Sequence, residues 1–521
     1  MRYVKSRWRK IYLAAAFFLL GMIPYFARVV FNGGKYGNPV VYIHALAASA
    51  ADSVLLHLPH ILTLYVLFIA ILVFLEERNP DRTIIWLMTL IFLPVVGIAL
   101  YILLGPDMKR VRMRKLFIPA QTYPDREDID LRMLSGKAVK LSILAYRSSS
   151  SPICWCNSTE LFIDGKKAFE AIERELMRAS RYINIEYYIF EDDRLGREIS
   201  NILSERSRAG VKVRMTVDGV GSWRLGRKLI AELQGAGVLF HTFMPVSFPF
   251  FHSRLNYRNH RKIIVIDGDV AFTGGMNVGT EYLGEGPLGH WRDTHAIFRG
   301  EAVLALNEIF LSDWNISSGE SISAANAEFS STDGAYAGLP VIPLQIVPSG
   351  GSAWRSIRQM YFTMITEART RIWITTPYMI PGDAIQEALK TAALSGIDVR
   401  LMIPYKLDHF LSHWASFSNV EDLLRAGVRI WFYKKGFLHA KTLLMDDDIA
   451  SVGTANLDSR SLDINFEIQS FVYAGKICSQ MAEHFLNDMD DSVECTLSDW
   501  RNRGIRSKIL ESLGRLWSSQ V

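Results

Sequence analysis

Two stretches of this chain carry histidine, lysine and asparagine at the same spacing. The first is NHRKIIVIDGDVAFTGGMN (259–277), and the second, 179 residues later, is LHAKTLLMDDDIASVGTAN (438–456). They align without a gap, so each copy reads H-x-K-x4-D with a glycine and an asparagine downstream. The matched pairs are His260 with His439, Lys262 with Lys441, Asp267 with Asp446, Gly274 with Gly453, and Asn277 with Asn456.

These residue types suit a phosphate better than a metal ion. Side chains two residues apart in a strand share a face, so the histidine and the lysine of each copy point the same way. Lysine is protonated near neutral pH and is not a usual metal ligand. A cation beside an imidazole, whose pKa is ~6.5, is suited to hold an anion. We therefore predict phosphate-binding half-sites at Lys262 and Lys441, and neither a metal nor a cofactor.

A hairpin in each copy would add the asparagine to its half-site. The run Asp-Gly-Asp at 267–269 predicts a turn centred between residues 268 and 269, and three aspartates do the same in the second copy. Position 260 then lies opposite Asn277, and position 439 lies opposite Asn456. Both asparagines are predicted to bind the phosphate.

Two such half-sites that face one phosphate support an in-line displacement. One histidine attacks phosphorus and the other protonates the leaving oxygen, while lysines and asparagines stabilise the charge on the equatorial oxygens. The symmetry of the two copies leaves open whether His260 or His439 is the nucleophile. One copy alone would be a weak signal, but two copies inside a wider repeat are a strong one.

The acidic residues near the motifs have two possible roles. Asp267 and Asp446 complete the motifs as candidate catalytic residues, but their position at the turns fits a framework role equally well. Asp293 and Glu467 follow their histidines by 33 and 28 residues. Each is a candidate to hold a histidine Nδ1–H and fix its tautomer, and the alternative for each is a peripheral salt bridge.

The N-terminal quarter contains three apolar runs of about 20 residues, the length that crosses a bilayer. They are Ile11–Phe31, Val54–Leu75 and Ile84–Gly105. The second and third lack charged residues and predict a transmembrane hairpin. The first follows a basic head and contains Pro24 and Arg28, so it is predicted either to span or to lie on the membrane.

The distribution of charge suggests contact with anionic lipid head groups. The net charge is only +5, and basic residues cluster at 109–115 and near the C-terminus. If all three runs span, lysine and arginine number seven on each side, and orientation is undecided. If only the hairpin spans, the part of the chain that carries both motifs falls on the cytoplasmic side, which we favour.

From about residue 160 helical and strand patterns alternate, and their order repeats after the linker, which predicts duplicated α/β lobes. Helical spacing at 499–517 predicts a C-terminal amphipathic helix that packs on the second lobe, with membrane-surface contact as the alternative. We predict these segments: a basic head, first hydrophobic segment and loop (1–53), a transmembrane hairpin (54–105), a basic connector (106–155), a first lobe (156–318), a linker (319–340) and a second lobe with the C-terminal helix (341–521).

The repeated motif resembles the signature of the phospholipase D superfamily, H-x-K-x4-D followed by G-[GST]-x-N. Within it, the chain is similar to the bacterial cardiolipin synthases over roughly residues 55 to 521. Three further stretches carry the likeness: ERNPDRTIIWLMTLIFLPVVGIALYILLG (77–105), RLNYRNHRKIIVIDG (254–268) and VGTANLDSRSLDINFE (452–467).

The resemblance implies transfer of a phosphatidyl group between two phosphatidylglycerol molecules, which gives cardiolipin and glycerol. It implies a phosphatidyl-histidine intermediate, with His260 as nucleophile and His439 as acid and then base. Membrane lipids are the expected partners, with neither nucleic acid nor an obligatory protein partner. The alternatives are a hydrolytic phospholipase D, a nuclease of the same superfamily and a membrane scaffold without catalysis. The hairpin argues against the nuclease, and two complete motifs argue against the scaffold.

Overall fold

A computed structural model describes most of the chain from residue 134 onward and part of the segment before it. The described residues are 67, 71, 80–93, 96–97, 134–245, 257–326, 338–350, 355–406, 408–473 and 475–517. The chain forms two compact units, residues 1–108 and 109–521. All candidate site residues belong to the second unit.

The described part of the first unit contains helix α1, Pro80–Phe92, which begins with the proline that favours a first helical position. The predicted runs Ile11–Phe31 and, apart from residues 67 and 71, Val54–Leu75 lie outside the described residues. The third run is described only through residue 93 and at 96–97. In the described part of the chain, no helix has the length and apolar character that a membrane crossing requires.

The second unit is built on a long mixed sheet. Its strands and those of two small sheets are β1 Cys154–Phe162, β2 Tyr182–Tyr187, β3 Lys212–Asp218, β4 Leu239–Phe243, β5 Ile263–Ile266, β6 Val270–Gly274, β7 His290–Arg292, β8 His295–Gly300, β9 Val341–Pro348, β10 Arg371–Thr375, β11 Met379–Ile380, β12 Asp398–Pro404, β13 Arg429–Tyr433, β14 Gly436–Leu438, β15 Thr442–Met445, β16 Ile449–Gly453, β17 Leu457–Asp458, β18 Ile468–Val472 and β19 Ser492–Cys495.

Helices cover both faces of the sheet. They are α2 Gly136–Ser149, α3 Gly165–Arg178, α4 Arg194–Arg208, α5 Arg227–Gly235, α6 Glu301–Ser318, α7 Ser356–Glu367, α8 Gly382–Leu394, α9 Phe410–Phe417, α10 Val420–Arg425, α11 Ser459–Asp463, α12 Gly475–Asp490, α13 Leu497–Arg501 and α14 Ile505–Trp517. A short 3-10 helix, Thr280–Leu283, follows the first motif.

The sheet shows the predicted duplication directly. Among the described residues it has fifteen strands, in the order β19-β13-β12-β10-β15-β16-β18-β9-β1-β8-β6-β5-β2-β3-β4. Reading outward from the central antiparallel pair of β1 and β9, each half gives the same series of seven strands, and β19 is added at one edge. The prediction of duplicated α/β lobes is confirmed, and the two lobes share one continuous sheet.

The segment predicted as a basic connector, 106–155, contains helix α2 and the start of β1. The reason is an apolar spacing inside the polar sequence: Ala138, Leu141 and Ala145 are buried in the core of the second lobe, beside Ile357 of α7. A segment that precedes the first lobe in sequence therefore contributes to the second. The linker 319–340 is described except at 327–337.

Candidate active site

The two motifs form the predicted hairpins, but the register differs by one residue. Strand β5 pairs with β6 so that Ile263 faces Thr273 and Ile266 faces Val270, which centres the turn on Gly268. The second hairpin, β15 with β16, is centred on Asp447. Each turn has three residues because an aspartate, Asp267 or Asp446, adopts a left-handed conformation at its start. The predicted pairing of position 260 with 277, and of 439 with 456, is therefore wrong.

Each motif histidine is instead placed by a segment from the other half of the chain. Strand β14, which ends just before His439, pairs in parallel with β7, with Leu438 beside Arg292. In the same way Asn259, just before His260, forms a parallel bridge to Phe466. The backbone N–H of each histidine donates to the partner segment, at 2.8 Å for His260 and 2.7 Å for His439. The next residue of each partner segment is an acid.

These acids contact the histidines across the two lobes. Nδ1 of His260 lies 2.9 Å from Oε2 of Glu467, and Nδ1 of His439 lies 2.7 Å from Oδ2 of Asp293. The sequence pattern predicted each acid as a candidate to hold a histidine without deciding which one, and the structure pairs each acid with the histidine of the other copy. The partners are exchanged because the parallel pairings bring together residues that are 207 and 146 positions apart.

The carboxylates fix which nitrogen of each ring is free. A carboxylate accepts a proton from Nδ1, which leaves Nε2 with its lone pair in the neutral ring. Burial lowers the pKa of both histidines, against the raising effect of Glu467 on His260. For His439, burial and Lys441 lower the pKa to about 4 against Asp293. Both rings are therefore neutral near pH 7, and each presents Nε2 as a nucleophile or base.

The motif lysines are buried beside the histidines. Nζ of Lys262 donates to the backbone carbonyl of His260 at 2.7 Å, and Nζ of Lys441 donates to that of His439. Burial, together with the charge of Lys441, lowers the pKa of Lys262 to about 7 against the raising effect of Glu467. Burial likewise lowers the pKa of Lys441 to about 8 against Asp293. Because groups from each copy act on the lysine of the other, the half-sites form one electrostatic unit.

Anion affinity is therefore expected to fall as the pH rises. Each lysine attracts a phosphate only while protonated, so binding should weaken from about pH 7, and eventually by about tenfold per pH unit for each lysine that has lost its proton. The measurement is the dissociation constant of sulfate, whose charge does not change between pH 6 and 9, by titration calorimetry. Lys262→Met should remove the lower inflection and leave the upper one. A dissociation constant independent of pH would contradict the assignment.

The two asparagines have different surroundings. Asn277 accepts from the backbone N–H of Ile189 at 3.2 Å and donates to the Tyr282 hydroxyl at 2.6 Å. Asn456 is buried, and its Oδ1 has no hydrogen-bond partner among the described residues. The two asparagines occupy equivalent positions in the sequence repeat, but they make different contacts. Asn277 orients the 3-10 helix that follows it, whereas Asn456 hydrogen-bonds the Asp458 side chain, and its unpartnered oxygen is an acceptor.

The motif aspartates lie at the opposite ends of their strands from the histidines. The carboxylate of Asp267 accepts from the backbone N–H groups of Ser180, Arg181 and Tyr182, each at 2.8 Å. Asp446 accepts from the N–H groups of 369–371 and from Lys137 of α2. This placement favours the framework role over contact with the phosphate. Each aspartate ties the motif hairpin to the start of a neighbouring strand.

Loss of the second aspartate should therefore lower stability more than catalysis. Asp446→Ala removes a charged acceptor from several donors and is expected to cost about 2–4 kcal/mol of unfolding free energy. Turnover per folded molecule should stay within about tenfold. Thermal unfolding and active-site titration measure the two effects. Asp447→Ala is the matched control, since the Asp447 side chain is 82% exposed. Loss of turnover without loss of stability would contradict the framework role.

The stability that Asp446 contributes also has a defined pH dependence. Burial alone would raise its pKa, but hydrogen bonds from Lys137 and from backbone amides outweigh burial and hold the pKa at about 2. The folded pKa lies below the ordinary value of 3.8, so the contribution is complete above pH 3.8 and is lost as the pH falls toward 2.

Sequence reasoning missed several residues that support the histidines. Arg261 donates to the backbone carbonyls of Glu467, at 3.1 Å, and Ser349, at 2.6 Å, and to Asp313 at 2.5 Å. It thereby fixes the second-lobe segment that carries Glu467. Thr454 donates to Oε2 of Glu467 at 2.5 Å. The sequence offered one indication of the role of Arg261. Adjacent residues of an extended segment face opposite sides, so the side chain of Arg261 points away from the face that carries His260.

Aromatic rings border the two half-sites. The Tyr188 ring lies edge-on to the His260 ring with centroids 4.7 Å apart, and Lys262 Nζ lies 5.4 Å from the Tyr188 centroid. On the other side, the rings of Trp291 and Tyr282 lie 5.7 and 6.0 Å from that of His439. These rings cover part of each imidazole. In the described residues, no group of three or more histidine, cysteine or acidic side chains is arranged to hold a metal ion.

The fold and the paired site define a phospholipase D-like protein. Residues 172–314 and 361–489 match the family described as "Cardiolipin synthase, PLD-like domain". Residues 61–106 match "Phospholipase_D-nuclease N-terminal". The fold resembles the crystal structure of phosphatidylserine synthase from Haemophilus influenzae Rd KW20, with a TM-score of 0.55 and 13% identity over 73% of this chain and 98% of that one.

Curated relatives give the narrower family. The chain is 40% identical to the cardiolipin synthase of Halalkalibacterium halodurans over 474 residues, which are 88% of this chain and 92% of that protein. It is 42% identical to cardiolipin synthase 2 of Bacillus anthracis over 466 residues, 88% of this chain and 90% of that one. The chain belongs to the cardiolipin synthase family.

Proposed function

We propose that this protein transfers a phosphatidyl group from one phosphatidylglycerol molecule to another, which forms cardiolipin and glycerol. The observation that carries the proposal is the crossed site, in which two neutral histidines are each held by a carboxylate of the opposite lobe and flanked by buried lysines. Such a pair supports a displacement at phosphorus in two steps. Curated relatives named for cardiolipin synthesis support the choice of lipid.

In the first step, Nε2 of His260 attacks phosphorus and forms a phosphorus–nitrogen bond. The bond from phosphorus to the head-group glycerol breaks, and His439 donates a proton to the leaving oxygen. His439 must carry that proton beforehand, and the negative charge of the bound phosphate, added to that of Asp293, stabilises the imidazolium. The choice of His260 as nucleophile follows the family resemblance.

In the second step, the roles at the phosphate reverse. His439 accepts the proton from a hydroxyl of the second phosphatidylglycerol, whose oxygen attacks phosphorus. The bond between phosphorus and His260 breaks, cardiolipin leaves, and both histidines return to their starting states. Throughout, Lys262 and Lys441 stabilise the charge on the non-bridging oxygens. No step needs a group beyond these side chains and the two lipids.

A product assay tests the proposal against hydrolysis. Purified protein is given vesicles of phosphatidylglycerol alone, and the lipids are resolved by mass. We expect cardiolipin and one glycerol per cardiolipin. Phosphatidic acid without cardiolipin would identify a hydrolytic phospholipase D and overturn the transferase. A protein with His260→Ala and His439→Ala together is the control for contaminating activity.

We also propose that the enzyme is a multi-pass protein of the bacterial cell membrane. The support is the pair of uncharged apolar runs, Val54–Leu75 and Ile84–Gly105, joined by a short polar loop. The match of residues 61–106 to the family described as "Phospholipase_D-nuclease N-terminal" covers most of the first run and all of the second. We place the catalytic unit on the cytoplasmic side, and protease access in sealed and opened vesicles distinguishes the two sides.

A further inference from the structure

Helix α14, Ile505–Trp517, presents an apolar stripe to solvent. Ile505, Ile509, Leu513 and Leu516 follow one another at spacings of four, four and three residues, which places them on one helix face. Their exposed fractions are 71, 54, 49 and 76%. Helical spacing in the sequence predicted that this stripe would pack on the second lobe. In the structure the stripe faces solvent, and the prediction is therefore wrong for these four side chains. The helix itself does pack on the second lobe, through its opposite face.

The opposite face of α14 holds the helix on the lobe. Gly514 is buried where a side chain would collide with the backbone of Trp414 and Ala415, so α14 lies directly against α9. Glu511 is buried as well, and Arg503 binds it at 2.6 and 2.7 Å. Gly514 and the ion-paired Glu511 thus form the face that packs on the lobe. The four apolar side chains of the stripe remain exposed to solvent.

The charges at the border of the stripe are all positive. Arg506, Lys508 and Arg515 are exposed, and at 100° per residue they lie on either side of the stripe, Arg506 on one and the other two on the opposite one. Glu511 is the only acid of the helix and is turned inward. An apolar stripe between two basic borders is the pattern of a helix that lies in a membrane interface.

The helix beneath α14 extends toward the active site. Its first residues, Phe410 and Leu411, are 54 and 45% exposed. They follow Asp408, which binds the Tyr378 hydroxyl and is close enough to act on the charge of His439 and Lys441. A small cavity lined by Tyr378, Asp408 and other residues opens at this place. The packed pair of α9 and α14 therefore runs from the exposed stripe to the rim of the second half-site.

We propose that the exposed face of α14 is a docking surface for an anionic phospholipid bilayer. The apolar stripe enters the interface, and the flanking cations bind lipid phosphates. Positive charge on both borders fits an anionic membrane better than a second copy of this helix, whose cations would repel. The surface goes beyond the proposed transfer reaction, because it would bind a bilayer whether or not the site is active.

The test uses the full chain reconstituted in vesicles that contain phosphatidylglycerol. A polarity-sensitive fluorescent amino acid is placed at position 513 and, as control, at Glu205, an exposed acid of α4. We expect a blue shift and quenching by doxyl-labelled lipids at 513, and neither at 205. Arg506→Gln with Lys508→Gln should lower the docking equilibrium about 30-fold, or about fivefold per cation.

The readout does not require catalysis, so failure of the docking surface and failure of the transfer proposal are separate results. If lipid quenchers did not affect the emission of the probe at position 513, the proposed docking surface would be disproved. A blue shift that depends on protein concentration and not on lipid would assign the stripe to a second copy instead. A variant with Ile509→Ser, Leu513→Ser and Leu516→Ser should lose quenching at position 505, and should keep its turnover of a micellar substrate.

Discussion

His439→Ala is expected to stop turnover of phosphatidylglycerol while His260 can still be loaded from a substrate whose leaving group needs no proton. Loss of the acid and base should lower turnover by about 10³-fold or more. A phosphatidyl ester of p-nitrophenol removes the need for the acid in the first step, because p-nitrophenolate leaves unprotonated. One equivalent of p-nitrophenol should therefore be released rapidly, followed by a very slow steady state.

His260→Ala should give no such release, because the nucleophile itself is absent. Both variants are followed by stopped-flow absorbance, and the loaded enzyme is identified by the added mass of a phosphatidyl group. His409→Ala is the matched control, since the His409 side chain is 74% exposed. Release by His260→Ala but not by His439→Ala would reverse the two roles. Substantial turnover in either variant would disprove a single site shared by both copies.

The second large effect concerns the acids that hold the histidines. Because Asp293 binds His439 and Glu467 binds His260, the two substitutions should affect different steps. Glu467→Gln should lower the rate of the initial p-nitrophenol release. Asp293→Asn should leave the rate of that release unchanged and lower the rate of the steady-state turnover that follows. Each effect should be about 10²–10⁴-fold, as expected when an imidazole loses the carboxylate that fixes its tautomer.

The pairing itself can be tested by combining substitutions. Asp293→Asn added to His439→Ala should cause little further loss, because the acid acts through that histidine. The pH dependence of turnover separates positioning from folding, since loss of a carboxylate lowers the pKa of its histidine whereas mere loss of structure does not. If Asp293→Asn slowed the release and Glu467→Gln did not, the acids would serve the histidines of their own copies.

The sequence predicted the two lobes and the half-sites because both depend on local patterns. Alternating helical and strand periodicity located most of the helices and strands of the repeat, and the gapless match of the motifs identified His260, Lys262, His439 and Lys441. It also selected Asp293 and Glu467 as orienting acids. The sequence could not predict which histidine each acid contacts, because periodicity within a segment carries no information about which distant segment pairs with it.

Two other predictions also differ from the structure, one because of a contact distant in sequence and one because of a local backbone angle. The connector was predicted as polar because its charges hide the spacing of Ala138, Leu141 and Ala145, and only the second lobe supplies the surface that buries them. The hairpins were placed one residue off because Asp267 and Asp446 adopt left-handed conformations, which make turns of three residues instead of an even number. In both cases a contact distant in sequence, or one backbone angle, decided the outcome.

The crossed carboxylates have a consequence for how the enzyme can lose activity. Neither lobe contains a complete histidine and its acid, so each lobe depends on the other for both chemical steps. Any change that separates the segments around Phe466 and Arg292 from their partners removes the support of both imidazoles together. Partial opening of the lobe interface would therefore weaken both chemical steps together, whereas substitution of one acid weakens only one of them.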